Sequence, residues 1–430
     1  MRPGGRAAAA IDVLQAVLER HQPAAQALKD WARDHRFAGS ADRSAIGNLV
    51  FDGLRRRNSL GHRMASDTPR AVILAAARES WPMGEAEFAA AMEEEHGPGA
   101  ISAEESSRLA DSRDGPDLPI AIAGDIPQWL VPAFERAFGD RAAMEAAALA
   151  RRAPIDLRAN TLKAAREKSL RALAKFGAVA GPLSPLSIRI AAPRGDERAP
   201  NVEAEAGFQR GWFEIQDAGS QVAALLVGAQ AEMQVVDLCA GGGGKTLAMA
   251  AAMQNRGQIY AHDRDRQRLK PIYERLQRAG VRNAQVIAAD EPGRLARLAG
   301  HVDRVLVDAP CSGSGSWRRK PDAKWRLSER QLAARIVDQA ALLDAAADFV
   351  KPGGRLVYVT CSLLPEENDD QIAAFLGRRG DYRRCDMREV WRETIGTEPP
   401  GDALGEGTAT LTPAGHGTDG FFIAVLGKRE

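Results

Sequence analysis

Two thiols and a carboxylate recur at matching places in the C-terminal half of this chain. Asp308 and Cys311 stand in Asp308-Ala309-Pro310-Cys311-Ser312-Gly313, and Cys361 stands in Thr360-Cys361-Ser362. A cysteine with an ordinary pKa of about 8.5 needs a nearby base, cation or dipole to act as a nucleophile at neutral pH. Addition to a pyrimidine is chemistry that would use all three groups. A thiolate bonded to carbon 6 turns carbon 5 into an enamine-like centre able to attack an electrophilic methyl group. A carboxyl at ring nitrogen 3 steadies the adduct, which gives Asp308 a task. A base must then take the carbon 5 proton so that the sulfur can leave, which gives a second thiol a task. A lone cysteine near a strand end is more often a small buried hydrophobe. Two of them, each followed by serine, shift that balance, whereas Cys239 and Cys385 keep the buried reading.

The elements around these residues bring them together. Apolar, β-branched runs at 302–307 and 355–359 precede the two motifs, and 328–350 between them has helical spacing. A right-handed strand–helix–strand crossover makes the strands parallel, so both carboxyl ends open on one sheet edge, where ligands of open α/β sheets sit. The same pattern starts earlier. A strand at 235–238 leads into Gly241, Gly242, Gly243, Gly244 and Lys245; one at 258–261 leads to Asp263; one at 285–289 leads to Asp290; and 420–426 reads as a closing edge strand. Five βα units and a final strand describe a doubly wound parallel sheet with a late antiparallel addition. The glycine run fits neither phosphate-binding template. A P-loop needs glycine five positions before Gly244, where Cys239 stands, and a dinucleotide fingerprint starting at Gly241 needs glycine where Thr246 stands. A nucleoside without a phosphate chain remains, which suits S-adenosylmethionine better than NAD or ATP. Asp263 is then placed for ribose hydroxyls and Asp290 for an adenine amine. Alone each could be a helix cap; three acids in register with the strands, Asp308 included, point to a ligand.

A chain of 430 residues implies two or three domains, and 45% hydrophobic with 27% charged residues is soluble globular composition. The net charge of +1 gives no global field for nucleic acid, so any basic surface is local. No apolar run is long enough for a bilayer, and no signal core is bounded at the N-terminus, so a cytoplasmic protein is expected. The 4 cysteines show neither C-x-x-C pairing nor histidines at metal spacing, so no metal and no disulfide framework is expected. Domain boundaries are expected at 1–92 (helical), 93–125 (a Glu-, Ser-, Gly-, Asp- and Pro-rich linker), 126–230 (small α+β) and 231–430 (the parallel sheet). Arg55-Arg56-Arg57 is either a solvated helix end or a phosphate contact.

These motifs resemble the RNA cytosine-5 methyltransferases of the Sun (Fmu, RsmB) superfamily, over roughly residue 158 to the C-terminus. The resemblance is carried by Leu157-Arg158-Ala159-Asn160-Thr161-Leu162-Lys163, Gln216-Asp217-Ala218-Gly219-Ser220-Gln221 and the glycine segment from Asp237 to Thr246. The Asp308 and Thr360 motifs, Arg318-Arg319-Lys320-Pro321-Asp322-Ala323-Lys324-Trp325 and Leu364-Pro365-Glu366-Glu367-Asn368 complete the set. It implies a Rossmann-like class I methyltransferase domain that binds S-adenosylmethionine at Cys239, Ala240, Gly241 to Lys245, Asp263, Asp290 and Asp308. It also implies Cys361 as nucleophile and Cys311 as the group that promotes product release; a DNA-type enzyme would use Cys311 instead. Arg158, Arg318, Arg319 and Lys324 are expected to contact RNA, with Trp317 and Trp325 stacking on bases. The superfamily usually has proline where Gly242 stands, so a more mobile, weaker-binding turn is expected. The N-terminal helices are faintly similar to the NusB-like domain of the ribosomal RNA members. A monomer acting on ribosomal RNA is the expectation, with transfer RNA modification or a catalytically silent assembly factor as the alternatives.

Overall fold

The computed structural model describes residues 1–110 and 118–430. The chain divides into two compact units, one of residues 1–153, 192–199 and 316–327, the other of 154–191, 200–315 and 328–430.

The first unit is helical. Helices Pro3–Arg20, Ala24–Asp34, Ser40–Arg55, Arg57–Met64, Pro69–Ser80 and Glu85–Glu93 close on a core of Leu14, Val17, Ile46, Leu49, Leu54, Val72 and Leu74. The expected linker carries helices Ala103–Ala110 and Ile120–Ala123, and Arg70 pairs with Glu105 at 2.8 Å; residues 111–117, the middle of that stretch, lie outside the described residues. Residues 126–153 pack within this unit: Asn58 Nδ2 donates to the Ile126 carbonyl at 2.9 Å, and helices Val131–Phe138 and Ala142–Leu149 belong to it. Arg55, Arg56 and Arg57 are half-buried and each has an acidic partner, Asp52, Glu79 and Asp67, so the cluster is packed through ion pairs rather than being a solvated helix end.

The second unit holds two sheets. A small antiparallel sheet has β1 (Ile155–Ala159), β2 (Val179–Ala180), β3 (Ser187–Ile190) and β4 (Phe213–Ile215) in the order β2-β3-β1-β4. The large sheet has β5 (Gln234–Asp237), β6 (Gln258–His262), β7 (Ala284–Ile287), β8 (Val302–Asp308), β9 (Val350–Thr360), β10 (Tyr382–Arg384) and β12 (Phe421–Lys428), in the order β10-β12-β9-β8-β5-β6-β7, with β11 (Thr408–Leu411) paired to β12. Strands β5 to β9 are parallel, and the order reverses between β5 and β8, the switch point where ligands of such sheets bind. The crossover helix Glu329–Ala347 starts at a capping box in which the Ser328 side chain accepts from Gln331 N. The closing strand is not an edge: β12 lies between β9 and β10 and also pairs with β11. Phe421 to Leu426 are all buried, and a run apolar on both faces needs cover from both sides. Among the described residues no helix is long and apolar enough to cross a membrane, and no cluster of three or more His, Cys, Asp or Glu could hold a metal.

Candidate active site

The turn after β5 is shaped by its glycines. Gly241 has φ 51° and Gly243 φ 81°, backbone angles that residues with a Cβ rarely adopt. A Cβ on Gly243 would also lie 2.5 Å from Ile272 Cγ1, so the position needs glycine twice over. Asp263, just past β6, is buried and accepts from Gly241 N at 3.0 Å and from Asp265 N at 2.8 Å. Its oxygens keep further lone pairs, since each carboxylate oxygen can accept more than once. At the base of the turn Thr246 Oγ1 donates to Asp237 Oδ2 at 2.6 Å, while burial pushes the Asp237 carboxyl up to about 7. A Cβ on Gly241 would be in ordinary contact with Arg268 Nη2 at 3.5 Å and Asp263 Oδ2 at 3.9 Å, so the backbone of the turn runs directly beside the Asp263 carboxylate. Asp290, past β7, is exposed and ion-paired with Arg266.

Across the switch point, Asp308 ends β8 and receives Lys245 Nζ at 2.6 Å, which ties the turn to the cysteine-bearing edge. Cys311 Sγ and Cys361 Sγ lie 3.4 Å apart. The hydrogen bond with Cys361, then burial, then the nearby charges of Cys361 and Glu367 push the Cys311 thiol well above its ordinary range. Cys311 is thereby held in its thiol form, and either sulfur can be the donor of the contact. The two cysteine loops are also joined through their serines: Ser312 Oγ lies 3.2 Å from Ser362 Oγ, which lies 3.1 Å from Ser314 Oγ. Two sulfurs in contact, a carboxylate and a glycine turn on one sheet edge are groups that thiol-assisted methyl transfer to a pyrimidine would use.

The description 16S rRNA methyltransferase RsmB/F matches residues 224–427, and the ferredoxin-like domain of RsmF/B-like methyltransferases matches 126–195. The chain belongs to the RsmB/F methyltransferase family. It is 36% identical over 309 residues to a probable ribosomal RNA small subunit methyltransferase B of Synechocystis, a match covering 70% of this chain and 66% of that protein. The chain thus spans just under two thirds of that relative's length. The crystal structure of PH0851 superposes with TM-score 0.73 at 24% identity, covering 100% of this chain and 99% of that one. NSun6 from Pyrococcus horikoshii, solved with the S-adenosylmethionine analogue SFG, superposes with TM-score 0.61 at 22% identity, covering 71% and 98%. At those identities both structures establish the fold alone.

In this RsmB/F-type chain the residues expected to touch RNA have other surroundings. Arg158, on β1, is 3% exposed and donates Nη1 to the Gly244 carbonyl at 3.2 Å; burial drops its pKa to about 10. Lys324 is 1% exposed, and its Nζ donates to the carbonyls of Arg55 and Asp125, each at 2.6 Å, inside the helical unit. Arg318 is buried with its carbonyl accepting from Arg55 Nε at 2.9 Å, and Arg319 is half-buried. Trp317 is fully buried on Phe134, and Trp325 Nε1 donates to the Leu54 carbonyl at 2.6 Å. The tryptophans and Lys324 are thus packed into a core rather than offered to bases and phosphates. An Arg-Arg-Lys run between two tryptophans can be a solvated nucleic-acid loop or a peg with snorkelling cations, and sequence alone does not separate the two.

Glu367 is the site residue whose role the sequence left unstated. It is fully buried, and its carboxylate accepts from Ser312 N at 2.8 Å, Gln339 Nε2 at 3.0 Å and Ser312 Oγ. Asn368 beside it accepts from Thr360 Oγ1 at 2.6 Å and donates to the Ser362 carbonyl at 3.0 Å. Adjacent polar residues in Glu366-Glu367-Asn368 were the only hint. Glu367→Gln keeps the shape but removes the charge from these bonds. It is expected to cost about 1.5–3 kcal/mol, read as a lower denaturant midpoint of the full chain together with slower turnover. An unchanged midpoint would mean the carboxylate does not hold the cysteine loops.

Proposed function

We propose that this chain transfers a methyl group from S-adenosylmethionine to carbon 5 of a cytosine in RNA, with small-subunit ribosomal RNA as the substrate. The observation that carries the reading is the 3.4 Å contact between the thiols of Cys311 and Cys361 on neighbouring strand ends beside the glycine turn. The relatives known as ribosomal RNA small subunit methyltransferase B support ribosomal RNA, and the SFG complex of NSun6 supports the cofactor. Bound at the turn by Gly241 to Lys245, with Asp263 at the ribose and Asp290 at the adenine, the cofactor supplies an electrophilic methyl group. Asp308 and Lys245 complete the edge that faces the target ring.

The chain's own residues do the remaining work. Cys361, its proton lost to solvent, bonds to carbon 6 of the cytosine, while a proton shared between Asp308 and ring nitrogen 3 neutralises the electron density that the addition pushes onto that nitrogen. Carbon 5 gains the methyl group and keeps its hydrogen until a base takes it. Cys311 suits that later step because two of the influences that hold its proton in the free site, the hydrogen bond with Cys361 and the Cys361 charge, vanish once the Cys361 sulfur is bonded to carbon. The Cys311 proton then passes to solvent, the resulting thiolate takes the carbon 5 hydrogen as a proton, and the electron pair of that bond restores the ring as Cys361 departs as a thiolate. The base must leave its stack to reach these sulfurs. A cytoplasmic monomer with RNA as its partner completes the reading.

The test is direct. The purified chain, methyl-labelled S-adenosylmethionine and separate pools of undermethylated small-subunit ribosomal RNA and transfer RNA are combined, and the RNA is digested to nucleosides. Label in 5-methylcytidine from the ribosomal pool is expected. Label only from the transfer RNA pool would move the substrate, and RNA binding with no label in either would leave an assembly factor.

A further inference from the structure

The glycine turn is held from outside by charges that the reaction itself does not use. Glu214 on β4 is 2% exposed, and a carboxylate that deep is tolerable only when paired. Arg278 Nη2 reaches its Oε1 at 2.6 Å, and Arg275 reaches its Oε2 through Nη2 at 3.1 Å and Nε at 3.3 Å. Both arginines lie on helix Ile272–Ala279, which packs under the turn through Ile272. With two nitrogens of the Arg275 fork on Glu214, the third, Nη1, donates to the Gly242 carbonyl at 2.6 Å. Arg158, register partner of Glu214 on β1, donates to the Gly244 carbonyl from the other side. Asn160, two residues along, fixes the end of the same helix by donating to the Ala279 carbonyl at 2.9 Å.

We propose that Arg275 is a positioning residue for the cofactor turn, seated on Glu214 and clamping the Gly242 carbonyl, and that glycine at 242 is the partner that leaves room for it. A Cβ at 242 would sit 3.1 Å from Arg275 Nη1, closer than side-chain carbons ordinarily approach, so a proline ring there makes the guanidinium give way by a few tenths of an ångström, which loosens its bond to the Gly242 carbonyl. Four successive glycines have the most backbone freedom to lose when a ligand orders them. A clamp that orders them beforehand lowers that cost of binding. The fork geometry matters: lysine, a single ammonium, can stay near Glu214 but cannot serve the carboxylate and the carbonyl together. The expected looseness of a turn lacking proline is thereby offset from the helix beside it.

The proposal rests on the S-adenosylmethionine reading and is tested with S-adenosylhomocysteine, titrated calorimetrically into the full chain and its variants. Arg275→Gln and Arg275→Lys are expected to weaken binding about tenfold, or about 1.4 kcal/mol, with kcat at saturating cofactor within about twofold of the parent. Arg275→Lys keeps a cation by Glu214 and so keeps the melting midpoint, which decides the matter should Arg275→Gln fold poorly. Gly242→Pro is expected to weaken binding comparably, and to add less than about twofold in the Arg275→Gln background, where no clamp is left to loosen. Binding by Arg275→Lys within twofold of the parent overturns the clamp, as do losses from Gly242→Pro and Arg275→Gln that simply multiply. A parent chain that does not bind S-adenosylhomocysteine would overturn the cofactor reading beneath it.

Discussion

Replacing Cys361 with serine is expected to reduce methyl transfer by at least about a thousandfold, while replacing Cys311 with serine leaves RNA covalently attached to the protein. The asymmetry follows from the site. A serine hydroxyl at 361 cannot add to carbon 6 at neutral pH, so the Cys361→Ser variant has no route to an adduct. The Cys311→Ser variant keeps the nucleophile and methylates once, but its hydroxyl is too weak a base to take the carbon 5 proton, and the Cys361 bond to the ring persists. A slowly migrating protein band in a denaturing gel, labelled from methyl-labelled cofactor and removed by ribonuclease, is the readout. The 3.4 Å contact makes this test sharper than two remote cysteines would, because either sulfur could reach the same carbon. An adduct with Cys361→Ser and none with Cys311→Ser would reverse the two roles. Loss of turnover in both variants without any adduct would remove the covalent step altogether.

Much of this was legible in the sequence where local pattern and long-range packing agree. The runs before Asp308 and Cys361 form adjacent parallel strands, with Asp308 in register with Val359, so the shared edge followed from the crossover rule. The glycine turn was legible because Gly243 satisfies two steric demands that no other residue can meet. Two kinds of feature were not. The run from Trp317 to Trp325 looks the same in sequence whether its aromatic and cationic side chains face solvent or a core; only partners far along the chain, Phe134, Leu54 and Asp125, distinguish the cases. Charged groups that act through backbone carbonyls, such as Arg275 on Gly242, carry no motif of their own, because a carbonyl is present at every position. The closing strand was misplaced for a simpler reason: position at the end of the chain suggested an edge, and a run apolar on both faces reports cover above and below the sheet but not which strands pair beside it, here β9 and β10.

The second large effect is expected at Trp317, as a loss of stability. Truncating a fully buried tryptophan to alanine removes its contact with Phe134, where the ring centroids are 6.3 Å apart and the planes 25° from parallel, and opens a cavity in the helical unit. Such truncations cost about 3–5 kcal/mol. For a unit of this size each kcal/mol lowers the melting midpoint by about 2–4 °C, so Trp317→Ala is expected to shift the first unfolding transition of the full chain down by roughly 10 °C. Amide exchange should rise in helix Val131–Phe138, which carries Phe134. A base-stacking tryptophan on a solvated loop predicts the opposite pattern: RNA affinity falls and both the midpoint and the exchange rates stay put. Lys324 sharpens the distinction, because its ammonium is committed to two carbonyls in the same core and burial lowers its pKa to about 8. The unfolded chain therefore binds more protons than the folded one between about pH 8 and the ordinary lysine value near 10.5, so the Lys324 contribution makes stability rise with pH across that window. A solvated, phosphate-binding lysine would contribute no such slope, and the Trp317 and Lys324 observations thus test one packing assignment through two unrelated physical quantities.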